Sequence, residues 1–556
     1  MINAESSGGL PLYLTIPAFL TGIAEAYGNR TALTWFTRKK EKLSCTYREL
    51  ADRSARLCST LCVRGLAGKR VALVGENSAD WLVAFFAALS CGCAVVCTDT
   101  EQSDDTIRDM LRAADAQVVF LSSPFVSICT SLLHEPDTKV ETLFLMGGGD
   151  GTDVSATMPD LLEQGYDLIC TGTAPTPPAI QPDQTAEFVF TSGTTSRSKI
   201  VMLSHRAILQ NVHDASVYVC LYEKVFTSLP FYHAYGLNCA VLCSLYQGAH
   251  LYINGNLKNT SRDLQLAQPD TIFAVPLLVE AIHNQFWVNV ERTGKTMQLR
   301  RGMKLASVGR RFHIPLGRHL LEDVRRKAFG RMRLIICGGA HLNQDILKEF
   351  DLMGIALLQG YGITECSPLI SVNCNAENRL GSVGCPLESF ELSLVDGEIW
   401  VRGPAVMQGY YKDSKQTEEV LQDGWFKTGD LGYQDKDGFL YLTGRKKNLI
   451  VFKNGKKLSP EKLEALLAPL PLVKEVMVYG TANGSSTDDV KLTACIFPDP
   501  KQTEGMSSYD ILSRLHYEVD QINARLPVYQ QIQMITIREN EFDKTATKKI
   551  KRYDLQ

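Results

Sequence analysis

Thr191-Ser-Gly-Thr-Thr-Ser-Arg-Ser-Lys199 is the stretch with the densest chemistry. It holds hydroxyls, one Gly and a terminal lysine. It follows Phe188–Phe190, an apolar run that reads as a buried strand. A small polar loop in that position can cradle phosphates with its backbone N–H groups and hydroxyls, and the lysine can neutralise them. The spacing is not that of the common P-loop, because no Gly-Lys-Ser/Thr closes it. From the loop alone, a Ser/Thr-rich surface loop is an equal reading. Beyond it, Ala207, Ile208 and Val212 follow a helical period, with Ser204 as N-cap.

Four other segments carry reactive residues. His233 sits among aromatics and Gly in Phe231–Gly236, where a lone histidine usually serves as an ordinary core or surface residue. Tyr361-Gly-Ile-Thr-Glu365 follows an apolar run and ends in a hydroxyl and a carboxylate. Such a glutamate suits a helix N-terminus or a hard cation. Asp430 closes Asp423–Asp430 in a tight turn, where a carboxylate can also accept from ribose hydroxyls. Two basic clusters end the chain. One runs from Arg445, Lys446 and Lys447 to Lys457; the other comprises Lys544, Lys548, Lys549, Lys551 and Arg552.

The elements that must position these residues alternate. Arg48–Arg64, Trp81–Leu89 and Thr106–Ala114 read as helices, Arg70–Gly75 as a strand with a turn, and Cys93–Cys97 and Val118–Leu121 as strands. That alternation predicts a doubly wound, parallel α/β layer over about 1–180. A second α/β region, 181–380, contains Leu334–Ala340, a helix capped by Asn343, and Ile355–Gly362. This is a βαβ unit whose strands end in Gly-containing segments. Ligands of open α/β sheets bind beyond the carboxyl ends of strands, so Gly338–Gly339 and Tyr361–Gly362 are expected to line one crevice. Dense Gly, Pro and Asp then mark a β-rich subdomain, 381–443. The remainder, 444–556, reads as a small α+β domain.

At 556 residues, a length of roughly three to four domain-sized units, the chain is 45% hydrophobic and 21% charged, with net charge -3. This is ordinary globular composition, and the charge gives no reason to expect a nucleic-acid partner. No apolar run reaches membrane-spanning length. Leu10–Ala24 contains Pro11 and Pro17 and is expected to be a packed N-terminal helix rather than a signal peptide. The 16 cysteines are expected as reduced thiols in the cytosol. The densest group, Cys91, Cys93 and Cys97, lacks zinc spacing and reads as small buried side chains.

Taken together, these segments resemble the adenylate-forming superfamily of acyl-CoA synthetases, luciferases and peptide-synthetase adenylation domains, from about Leu10 to Arg552. The resemblance implies a large N-terminal domain over 1–443 and a small mobile C-terminal lid over 444–556. It also implies ATP, Mg2+ and coenzyme A as cofactors. A carboxylic acid would first become acyl-AMP with release of pyrophosphate, and CoA thiol would then displace AMP. By the same resemblance, Thr191, Ser192, Gly193, Thr194, Thr195 and Lys199 would hold the β- and γ-phosphates. Glu365 would bind Mg2+ and Thr364 the α-phosphate. Gly339, Ala340 and Tyr361 would flank adenine, and Asp430 and Arg445 the ribose. His233 falls in the aromatic-His segment, Lys549 is the catalytic lysine and Lys447 the hinge.

Within the superfamily, Ala274–Trp287, Gly330–Ala340 and the Lys548-Lys549 ending look like medium- and long-chain fatty acyl-CoA synthetases. Only four residues follow Arg552, so a free-standing, CoA-using cytoplasmic enzyme with transient membrane contact is expected. The chain departs from the family pattern at Ser196, Ser198 and Ile200, where relatives carry Gly, Pro and Gly. It departs again at Asp543 and Lys548. These departures leave two alternatives open: an acyl-AMP ligase loading a separate carrier protein, and a non-catalytic nucleotide- or acyl-binding regulator.

Overall fold

A computed structural model describes residues 10–148, 154–191, 199–311, 321–340, 342–452, 456–483, 486–544, 550 and 552. They form two compact units. One comprises the described residues of Met1–Gly193, Arg197–Glu391 and Arg402–Phe426; the other, those of Leu392–Val401 and Lys427–Gln556. The β-rich stretch 381–443 therefore contributes to both.

The first unit is built on two α/β sheets. In the eight-stranded sheet the order is Gly409–Tyr410, Ile200–Ser204, Thr185–Phe190, Ala94–Cys97, Arg70–Val74, Val118–Leu121, Thr142–Leu145 and Ala156–Thr157. It is parallel from Thr185–Phe190 outward and antiparallel at the other edge. The nine-stranded sheet runs Cys385–Pro386, Leu369–Val372, Ala356–Gly362, Leu334–Cys337, Thr271–Ala274, Lys224–Thr227, His250–Ile253, Thr31–Phe36 and Lys42–Thr46. Its middle is parallel and its ends antiparallel. Strands cross residue 180 in both directions, so that position does not separate the sheets. Strands such as Val118–Leu121 and Leu334–Cys337 are buried along their whole length, as parallel strands covered on both faces must be.

The helices form where the sequence places their caps. Thr46 accepts from the Glu49 N–H, and Glu49 reaches back to the Thr46 N–H, so Tyr47–Val63 starts in a capping box. Ser204 caps His205–Tyr218, and Asn343 caps Gln344–Leu352. The N-terminal helix Ile16–Tyr27 buries Ile16, Phe19, Leu20 and Ile23. Each such side chain contributes roughly 1.5–3 kcal/mol relative to exposure. Among the described residues, no helix is long and apolar enough to cross a membrane.

In the second unit, Glu398–Arg402 lies between Glu391–Val395 and Trp425–Gln434, and the last of these pairs antiparallel with Leu440–Arg445. A three-stranded sheet follows: Val473–Asn483, Ser486–Pro498 and Met534–Ile537. The helices Pro460–Leu467 and Ser508–Asn523 bury Leu463, Leu467, Leu515 and Val519 in one core with Val478 and Ile496 of this sheet.

Candidate active site

The phosphate-type loop closes a β-hairpin. Thr185–Phe190 and Ile200–Ser204 pair antiparallel with Phe190 opposite Ile200, and the Thr191 N–H donates to the Lys199 carbonyl at 3.0 Å. Ser192, Gly193, Thr194 and Thr195, with Ser196 and Ser198, lie outside the described residues. Ile200 has an evident place. It is the first strand residue and packs in the core that holds Phe188 and Phe190, so no glycine conformation is required there.

Tyr410 draws two of the sequence-singled residues together. The Lys199 ammonium lies over its ring, 4.5 Å from the centroid, a cation–π contact. Its hydroxyl donates to Glu365 Oε1 at 2.9 Å. Burial, and next the Glu365 charge, push the Tyr410 phenol well above its ordinary pKa, so it stays a donor. Sequence reasoning missed Tyr410. The short strand Gly409–Tyr410 pairs with Val201 and Met202, and only that long-range pairing brings it to the hairpin.

Glu365 is aimed by its backbone. The strand Ala356–Gly362 runs into a single 3₁₀ turn, Thr364–Cys366. Gly362 is obligatory here, because a Cβ would sit 2.1 Å from the Pro368 carbonyl oxygen. The Met407 N–H fixes the Glu365 carbonyl at 2.8 Å. Thr364 and Glu365 thus present a hydroxyl and a carboxylate at the end of a buried strand, next to a lysine held by the shared tyrosine.

The neighbouring strand Leu334–Cys337 ends in Gly338 and Gly339, and Gly339 takes φ +92°. Ala340 is exposed and Tyr361 buried. An apolar cavity of about 90 Å³ opens against both strand ends, lined by Ala215, Val219, Tyr235, Cys239, Phe273, Cys337, Gly338, Gly339, Gly360 and Gly362 among others. The Tyr235 hydroxyl donates to the Ile336 carbonyl at 3.0 Å, which fixes its ring as a wall. Tyr235 also starts a wide π-helix, Tyr235–Leu242, a geometry often found at functional sites.

His233 precedes that helix. Its Nε2 is buried and meets no hydrogen-bond partner among the described residues. Burial lowers its pKa, opposed by the Asp99 charge, so the ring is neutral. A second buried polar group lies on the hairpin itself. Glu187 is fully buried, and burial pushes its carboxyl up to about 8, opposed by a hydrogen bond from Asn238. The Asn238 amide reaches both Glu187 Oε2 and the Ser367 carbonyl at 3.4 Å. This group ties the hairpin strand, the π-helix and the turn after Glu365. A carboxylate inside the apolar run Ala186–Phe190 was the signal that could have found it.

In the second unit, Asp430 and Arg445 face each other across the antiparallel pair, and Arg445 Nε donates to Asp430 Oδ1 at 2.8 Å. Thr428 Oγ1 accepts from the Asp430 N–H at 3.0 Å. Glu398, not singled out by sequence, accepts from the Gly429 N–H at 3.1 Å and from Lys446 at 2.8 Å. Burial would raise its carboxyl, but the Lys446 ammonium outweighs this and holds it below its ordinary value. Lys447 lies in the exposed turn Lys446–Asn448. Lys548 and Lys549 lie outside the described residues. Their flanks are anchored: Lys544 pairs with Glu475 and with Glu541, Ile550 bridges to Lys544, and Arg552 donates to Glu464 at 2.5 Å.

Residues 20–411 match the family profile of the AMP-binding enzymes, and 447–555 that of the AMP-binding enzyme C-terminal domain. The chain belongs to the AMP-binding enzyme family. Among the relatives of this AMP-binding enzyme is the long-chain-fatty-acid–CoA ligase FadD15 of Mycobacterium bovis, 27% identical over 458 residues, covering 79% of this chain and 74% of the relative. Another is the chloroplastic long-chain-fatty-acid–[acyl-carrier-protein] ligase AEE15 of Arabidopsis thaliana, 26% identical over 587 residues and covering 90% and 79%. The fold matches the crystal structure of the anthranilate CoA ligase AuaEII in complex with anthranoyl-AMP. The TM-score is 0.77, identity is 21%, and 98% and 96% of the two chains are covered. AMP-binding ligases use ATP, Mg2+ and CoA. The donors near the hairpin suit Mg2+ and phosphate: one carboxylate and one hydroxyl are hard oxygen ligands, and Mg2+ takes few protein ligands besides phosphates and water.

Proposed function

We propose that this AMP-binding enzyme activates a medium- or long-chain fatty acid as acyl-AMP, releasing pyrophosphate, and passes the acyl group to CoA. The observation that carries the reading is the apolar lining of the cavity against Gly338–Gly339 and Gly360–Gly362, which at about 90 Å³ takes only the carboxyl end of such an acid. Those strand ends lead directly to Tyr361, Thr364 and Glu365, so an apolar acid seated there would hold its carboxylate beside the nucleotide. The names of the fatty-acid ligase relatives support the same substrate class.

In this reading Lys199 and the hydroxyls of 191–195 hold the β- and γ-phosphates. Glu365 and Thr364 hold Mg2+ and the α-phosphate, and bound Mg2+ supplies neutralisation of phosphate charge. Gly339, Ala340 and Tyr361 flank the adenine, and Asp430 with Arg445 takes the ribose hydroxyls. His233 Nε2 hydrogen-bonds the bound acid or nucleotide. Carboxylate and triphosphate are both anions, so preorganised positive charge dominates the catalysis. Lys549 bridges the two anions in the first step. The small domain then swings about Lys447, a lid-type motion that clears the site for the thiol. A fatty substrate makes a cytoplasmic enzyme with transient membrane contact the fitting setting.

The test is Lys549→Ala. Acid-dependent pyrophosphate release should fall by about 10²-fold or more, while thioester formation from supplied acyl-AMP persists. If Lys548→Ala shows that split instead, the lysine assignment is wrong. If no fatty acid in a length series releases pyrophosphate, the substrate reading fails. The carrier-loading alternative is favoured by the acyl-carrier-protein ligase that matches 90% of the chain. It predicts pyrophosphate release without acyl-CoA formation.

A further inference from the structure

The cysteines read from the sequence as small buried side chains do not all stay apart. Cys97 lies in the strand Ala94–Cys97, fully packed. Cys91, at the end of the preceding helix, meets two thiols from another element. Cys58 and Cys62 lie one turn apart on Tyr47–Val63, and the Sγ atoms of Cys58, Cys62 and Cys91 all fall within 4.8 Å of one another. The Cys62 and Cys91 sulfurs are 3.2 Å apart. Cys58 and Cys91 are buried, and Cys62 is half-buried and gives the cluster its opening to solvent.

We propose that Cys58, Cys62 and Cys91 form a three-thiolate site for a d10 thiophilic cation, with Zn2+ as the fitting ion and water as its fourth ligand. Zn–S bonds of roughly 2.3 Å in a tetrahedron place sulfurs roughly 3.8 Å apart. The trio therefore needs only small rotations, the Cys62–Cys91 pair opening from 3.2 Å. Cys93 adjoins Cys91 but falls outside the group whose sulfurs lie within 4.8 Å of one another, and its Sγ donates to the Leu66 carbonyl at 3.2 Å.

The backbone supplies an independent argument. Cys62 lies in the last turn of its helix, and Cys91 is the C-cap of Ala79–Ser90. Both residues thus sit at helix C-terminal ends, which carry partial negative charge. That field disfavours free thiolates and so slows disulfide exchange, but it favours a bound cation. On binding, three thiols release three protons to solvent, three metal–sulfur bonds form and no electron moves. Affinity must fall as pH falls. The site would staple the helix Tyr47–Val63 to the turn before Ala94–Cys97, a strand that pairs with the hairpin strand Thr185–Phe190.

Titration of the reduced, metal-free, full-length chain with Co2+ tests this. The expected result is a thiolate-to-cobalt charge-transfer band that saturates at one ion per chain and disappears on adding one equivalent of Zn2+. Cys62→Ser and Cys91→Ser should lose the band, and Cys170→Ser, at an exposed cysteine outside the trio, should keep it. Cys62→His should keep a bound ion with a shifted band, which separates ligand loss from misfolding. A wild-type chain without the band, a band retained by Cys91→Ser, or a Cys62–Cys91 disulfide formed equally fast with and without Zn2+ would each overturn the proposal.

Discussion

Asp430 and Arg445 in the second unit, and Glu187 and His233 in the first, hold polar groups away from water in opposite ways. Asp430 is buried, yet it faces Arg445 across one strand pair and has its own N–H satisfied by Thr428. Glu187 has one long hydrogen bond and an orphan Oε1, and His233 Nε2 has no partner among the described residues. An unpaired buried polar atom costs about 1–3 kcal/mol. The Asp430–Arg445 pair is therefore formed within the chain itself. The first unit instead carries stored polar strain around its hairpin, of the kind usual at functional sites.

The largest effect should come from Glu187. Its folded pKa of about 8 lies above the unfolded value near 4.5. The contribution of the protonated, buried form is therefore fully present below pH 4.5 and is lost as pH rises to 8, a change of up to about 5 kcal/mol. Glu187→Gln should flatten the fall in melting temperature between pH 5 and about 8; parallel curves for the two proteins would break the comparison. Next, Glu365→Gln keeps an acceptor for Tyr410 but removes the charge. Pyrophosphate release should drop about 10²-fold with folding unchanged, read at saturating ATP over a Mg2+ series.

His205 sharpens the contrast by titrating with the opposite sign. Burial lowers it to about 4, and its Nδ1 accepts from the Ile16 N–H at 3.2 Å. Below pH 6.5 the unfolded chain binds the extra proton, so stability falls as pH drops toward 4, by about 3 kcal/mol. His205→Asn should remove that acid limb from chemical-denaturation curves. The smallest effect belongs to the satisfied pair. Asp430→Asn should raise KM for ATP about tenfold, about 1.4 kcal/mol, with kcat little changed. A larger loss in kcat would mean that the pair acts in the transition state.

Much of this was legible in sequence because the signals are local. Ser204 and Asn343 cap the helices they were assigned, since a short polar side chain before an apolar period satisfies an orphan N–H wherever it occurs. The strand Leu334–Cys337, the helix Gln344–Leu352 and the strand Ala356–Gly362 form the expected βαβ unit with parallel pairing. The short strand Ile200–Ser204 was not legible, because four of its five residues are buried and so short a run shows no alternation. Tyr410 and Glu398 were missed for another reason: each acquires its role from a partner distant in the chain, Glu365 and Lys446.

The sequence by itself determined the doubly wound α/β class, the order of the chemical segments and the residue types that could hold phosphate, a hard cation and ribose. Periodicity, caps and motif spacing are properties of neighbours along the chain. The tertiary structure alone decided that Tyr410 bridges Lys199 and Glu365, that Glu187 is buried on the hairpin strand, and that Cys58 and Cys62 meet Cys91 rather than leaving Cys91 to Cys97. Those outcomes depend on strand order and helix packing, and no local pattern encodes which distant element arrives at a given strand end.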